Sequence, residues 1–106
     1  MTTLSTHVLD IEHGIPAAGV PVGLSQAGRE LARATTDADG RVRDLASVDT
    51  GEYVLTFDVA AYFQAQGRPL PFLRRVSLEF QADASDPHYH VPLLLSPFGL
   101  TCYRGS

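Results

Sequence analysis

A chain of 106 residues with 44% apolar content can build one hydrophobic core, and the whole span 1–106 reads as one domain. The formal net charge is −4 and the eight cationic residues, all Arg, are scattered, so no basic stripe faces a phosphate backbone and nucleic acid is argued against as a partner. The opening Met1-Thr2-Thr3-Leu4-Ser5-Thr6-His7 has no cationic or apolar leader, and no run of about 18 apolar residues follows, which argues against export and against a membrane partner.

The lone Cys102 cannot form an internal disulfide and suits a reducing compartment, so the expected location is cytoplasmic. Helical periodicity is nearly absent. Short runs of alternating β-branched and apolar residues, broken by Gly, Pro and Asp, predict an all-β sandwich. The first run, 4–9, puts Leu4, Thr6 and Val8 on one face and Ser5, His7 and Leu9 on the other, so His7 points away from the core. Residues 12–16 break that strand, and 20–24 resume it, with Pro21 confined to a strand start or edge. Ala27-Gly28 is a hairpin turn into 30–36.

Thr36-Asp37-Ala38-Asp39-Gly40-Arg41 reads as an Asx and Gly turn that releases Arg41 at its exit. A second turn at 49–51 leads into 53–59, a central strand by its alternation. The one helical candidate is 59–66, ended by Gly67, with Pro69 and Pro71 preventing continuation. Strands follow at 75–81, 89–96 and 99–103. The expected architecture is a two-sheet sandwich of about eight strands with one short helix.

His88-Tyr89-His90 is the most informative local feature, because residues two apart on a strand face the same way and present two imidazoles to one surface. General base and metal ligand are both open readings of such a pair. Taken singly, His7 reads as a polar surface residue, Arg41 as a solvated turn residue and Arg104 as part of a frayed end.

Two longer segments go further. Leu4-Ser5-Thr6-His7-Val8-Leu9-Asp10, and His88-Tyr89-His90-Val91-Pro92-Leu93-Leu94-Leu95-Ser96-Pro97-Phe98-Gly99 through Tyr103-Arg104-Gly105-Ser106, resemble the two signature stretches of the 5-hydroxyisourate hydrolases, also called transthyretin-related proteins. Tyr-Arg-Gly-Ser is the piece that separates the hydrolases from hormone-carrying transthyretins. Cys102 departs from the pattern, standing where a Thr is usual.

The resemblance implies a transthyretin-like (prealbumin-like) homotetramer with sites at the dimer–dimer interface, no cofactor, no metal, and a small purine-derived substrate of urate degradation. It maps His7, Arg41, His90 and Ser106 onto the catalytic positions. His88, Tyr103 and Arg104 fall beside them as substrate-binding residues. On that footing histidine activates water and Arg41 stabilises the oxyanion. Three other readings are open at this point: a carrier that binds a small aromatic molecule without turnover, a zinc hydrolase using His7, His88 and His90, and a sandwich with no site.

Overall fold

In the computed structural model, which describes residues 1–105, the alternating runs become nine strands and one helix among the described residues. In chain order these are β1 (Thr2–Asp10), β2 (Ile15–Pro16), β3 (Pro21–Gln26), β4 (Arg29–Thr35), β5 (Arg41–Val48), β6 (Gly51–Asp58), α1 (Val59–Ala65), β7 (Arg75–Ala82), β8 (His88–Leu95) and β9 (Leu100–Cys102). One sheet runs β4-β3-β6-β7 and is antiparallel throughout. The other runs β2-β1-β8-β9, with β5 also paired to β1. β1 is its centre: β8 lies parallel along one edge, while β5 and β2 share the opposite edge.

The period-2 pattern explains the layering. Val22, Leu24, Leu55 and Phe57 from one sheet and Leu4, Val8, Leu93 and Leu95 from the other are buried in one apolar cluster, the filling of a two-sheet sandwich. Helix α1 adds Val59, Tyr62 and Phe63 to that core. Asp58 starts it, its carboxylate accepting the Ala61 N–H at 3.0 Å, and Gln66 ends it one residue earlier than the sequence suggests.

Two strands go beyond the runs named from the sequence, β5 and the short β2. Sequence alone marks residues 12–16 as a break, and locally they are one: Asp10 Oδ1 accepts the N–H groups of Glu12 and His13 at 3.1 and 3.2 Å. The chain then doubles back so that Ile15 and Pro16 pair with Asp10 and Leu9. Two residues are too few to show an alternation.

Of two tight turns, only the second positions the site. Ala27 and Gly28 both have positive φ, 50° and 79°, the requirement of a type I′ hairpin between β3 and β4. Between β4 and β5, Asp37 Oδ1 accepts the N–H of Asp39 at 2.9 Å and of Arg41 at 3.0 Å. Gly40 there has φ 75° and presses on β1, its carbonyl accepting the Val8 N–H at 2.7 Å. A Cβ at Gly40 would come within 3.0 Å of Ala17 N and closer still to the Val8 carbonyl, so only glycine lets the turn lie there. The turn is thereby pinned to β1 and delivers Arg41 directly opposite His7.

Candidate active site

β1 buries its even positions, Leu4, Thr6 and Val8, and turns Thr3, Ser5 and His7 to the outer face of its sheet. β8 runs parallel beside it with Thr3 opposite His88, Ser5 opposite His90 and His7 opposite Pro92. Arg41 completes that row from β5. Residues more than eighty positions apart in the chain thus meet on one surface.

The contacts are specific. Ser5 Oγ lies 2.8 Å from His88 Nε2 and 2.7 Å from His90 Nδ1, so one hydroxyl joins the two imidazoles. His88 Nδ1 is 2.5 Å from Thr3 Oγ1, which also donates to the Pro87 carbonyl at 3.3 Å. On β1, His7 Nε2 lies 3.0 Å from the Asp39 carbonyl oxygen; a carbonyl only accepts, so Nε2 carries a proton.

Burial holds the His90 pKa below the usual imidazole value, and the Arg41 cation, His7 and His88 add to the effect by disfavouring a second positive charge. His90 is therefore mostly neutral at pH 7.

The segment after β9 folds back over this face. Gly105 N donates to the His90 carbonyl at 2.6 Å in an isolated antiparallel bridge. Arg104 stacks its guanidinium over Tyr89, 4.1 Å from the ring centroid, donates to the His88 carbonyl at 3.3 Å and stands 3.9 Å from Asp86. His88, His90, Tyr103, Arg104 and Gly105 line a cleft of about 440 Å³, with Tyr103 half exposed at its rim. Ser106 lies outside the described residues.

Of the residues singled out from sequence, His7, Arg41, His88, His90, Tyr103 and Arg104 gather on or beside this face. Sequence reasoning passed over Thr3, Ser5 and Gly105. For the first two a signal existed: they share the outward parity of His7. Among the described residues, no group of three or more His, Cys, Asp or Glu side chains is placed to hold a metal ion. A second hollow of about 380 Å³ on the other sheet contains the exposed Glu30–Arg33 pair at 2.8 Å and no histidine. The Cys102 thiol is pushed up in pKa by burial and is a poor nucleophile.

A half-buried neutral imidazole with a guanidinium on the same sheet face, close enough to act on its charge, can remove a proton from water and stabilise an oxyanion. Comparison with known proteins points the same way. Residues 4–105 match the HIUase/Transthyretin family. The chain is 46% identical to the 5-hydroxyisourate hydrolase of Caulobacter vibrioides over 115 aligned positions covering all of both proteins. The solved 5-hydroxyisourate hydrolase of Klebsiella pneumoniae superposes with a TM-score of 0.92 at 42% identity, again over both full chains. Transthyretin from Sparus aurata superposes with a TM-score of 0.90 at 32% identity, covering 99% of this chain and 97% of that one.

Proposed function

Because the chain belongs to the HIUase/Transthyretin family, we propose that it hydrolyses 5-hydroxyisourate to 2-oxo-4-hydroxy-4-carboxy-5-ureidoimidazoline in urate degradation. The enzyme is a cyclic amide hydrolase. The observation that carries this reading is His90: a neutral imidazole at a cleft, its Nδ1 tied to Ser5 and its pKa lowered by burial and by Arg41.

In the proposed reaction His90, assisted by His7, accepts a proton from water as the water oxygen attacks the ring carbonyl. Arg41 donates to the developing oxyanion and holds the planar ring through its two-pronged guanidinium. Collapse breaks the carbon–nitrogen bond, His90 returns the proton to the departing nitrogen, and a carboxylate and a ureido group result. His88, Tyr103 and Arg104 border the substrate, and Ser106 completes the site. No cofactor enters the scheme.

Residues 1–106 act as one domain, and the active form is a homotetramer with substrate sites between dimers. The outer edges of β7 and β9 carry no strand partner among the described residues, and Phe98, Leu100 and Tyr103 expose apolar surface next to β9, which supports assembly there. A cytoplasmic location fits the lone cysteine.

The test is product identification by NMR after mixing the protein with freshly oxidised urate, for the wild type and for Arg41→Lys. Rapid appearance of the ureidoimidazoline carboxylate, slowed on the order of a hundredfold in Arg41→Lys because the fork is lost, supports the reading. Substrate that is bound but converted no faster than in buffer would replace it with a carrier role.

A further inference from the structure

Thr3 and Ser5 have no place in the reaction just described and His88 only borders its substrate, yet the three form an unbroken chain of hydrogen bonds ending on the proposed base. Thr3 and Ser5 come from β1, His88 and His90 from β8, and the parallel register sets them side by side in pairs. The links are Thr3 Oγ1 to His88 Nδ1 at 2.5 Å, His88 Nε2 to Ser5 Oγ at 2.8 Å, and Ser5 Oγ to His90 Nδ1 at 2.7 Å. Ser5 is 8% exposed, so its hydroxyl has little access to water as a substitute partner.

Each hydroxyl has one proton, so the direction of the whole chain follows from its first member. Thr3 Oγ1 is placed to donate to the Pro87 carbonyl, which accepts only, and its oxygen is then free to accept from His88 Nδ1–H. With a neutral ring, His88 Nε2 holds a lone pair and takes the Ser5 proton. Ser5 Oγ in turn accepts from His90 Nδ1–H. Reversing the chain forfeits the Thr3–Pro87 bond and puts a proton on His90 Nε2, where a base needs a lone pair.

Resting on the hydrolase reading above, we infer that Thr3, His88 and Ser5 are positioning residues that hold His90 in its Nδ1–H tautomer, leaving the Nε2 lone pair for the water proton. When Nε2 takes that proton, the bond from Nδ1 to Ser5 is kept, so no link need reverse during the step. His88 is thus a relay for orientation, one residue pair removed from the chemistry, and not a second base.

The direct test is the ¹⁵N spectrum of histidine-labelled protein without substrate, recorded above the His90 pKa, beside kcat and KM for 5-hydroxyisourate. The wild type should show His90 with a protonated Nδ1 and an unprotonated Nε2. Ser5→Ala, nearly isosteric, should mix the two tautomers and lower kcat about tenfold to a hundredfold with little change in KM. The loss stays short of the ~10⁴-fold that follows when a triad's orienting group enforces the wrong tautomer, because a released neutral imidazole still populates the reactive form. Thr3→Val should shift the tautomer in the same direction more weakly, and Thr3→Ser should restore it.

A wild-type His90 protonated on Nε2 would overturn the inference. So would Ser5→Ala, folded by circular dichroism, with tautomer and kcat unchanged. Since the tautomer is read without substrate, failure of the hydrolase assay alone would strike the functional reading, whereas a wrong tautomer would strike the positioning roles of Thr3, His88 and Ser5.

Discussion

Replacing Gly105 by alanine tests how closely the returning segment fits the base. A Cβ at position 105 would sit 2.8 Å from His90 Cδ2, 3.3 Å from Pro92 Cγ and 3.4 Å from the His90 carbonyl oxygen. Carbon atoms at rest lie about 3.5–4.0 Å apart, so the imidazole or the segment must shift by roughly 0.7–1.2 Å. Moving the ring strains its 2.7 Å bond to Ser5, and moving the segment strains the 2.6 Å bond from Gly105 N to the His90 carbonyl. A displacement of that size in a catalytic group costs on the order of a hundredfold in rate. The clash lies on the outer face of the sheet and leaves the sandwich core intact, so the melting temperature should move by only a few degrees. Gly23→Ala is the control: its Cβ meets no atom within 4 Å and its φ is not in the left-handed region, so fold and rate should both be retained. Initial rates of 5-hydroxyisourate decay and a thermal melt on the two variants suffice. Wild-type kcat/KM in a folded Gly105→Ala would refute the claim that this contact positions His90.

The remaining predictions concern charge. Since the His90 pKa is lowered from 6.5, kcat/KM should rise with pH through a midpoint under that value and level off above it. Removing the Arg41 cation in Arg41→Gln should raise the midpoint, since protonated His90 then loses a repelling neighbour; burial, the larger cause, keeps it from returning fully to 6.5, and an unmoved or lowered midpoint contradicts the assignment. Asp10 is fully buried at the end of β1, accepting from Arg68 at 2.6 Å, from Tyr62 at 2.9 Å and from two backbone N–H groups, while Arg68 also pairs with Glu12. Asp10→Asn should cost about 3 kcal/mol in urea unfolding, because it removes one partner of a buried pair. Burial pushes the Asp10 pKa up, but the bonds from Arg68, Tyr62 and His13 outweigh it and the net shift is downward. Its contribution is therefore present above the unfolded value near 3.9 and is lost as pH falls through the lower folded value. The gap between wild type and Asp10→Asn should close across that acidic window, and a gap independent of pH contradicts the assignment.

Much of this was readable in the sequence because it is locally encoded. The outward parity of His7, the shared face of His88 and His90 and the Asp37 turn releasing Arg41 each follow from spacing within a few residues. Pairing is not local. Alternation shows which way His7 points but not that β1 and β8 lie side by side and parallel, so the juxtaposition of Ser5 with His88 and His90 had no signal short of the fold. For the same reason Thr3 and Ser5 read as ordinary polar positions of a half-buried strand. The clash distance that makes Gly105 glycine comes from the returning segment, which no turn motif announces.

On the proposed reading, His90 activates water in a hydrolase that needs no metal. That reading is tested most directly by following the ultraviolet decay of 5-hydroxyisourate, freshly made from urate by urate oxidase, with wild type, with wild type after EDTA, and with His90→Ala. Accelerated decay that survives the chelator and falls by about a hundredfold or more in His90→Ala is the expected result. Decay no faster than in buffer with folded wild type, loss of activity on chelation, or undiminished activity in His90→Ala would contradict it.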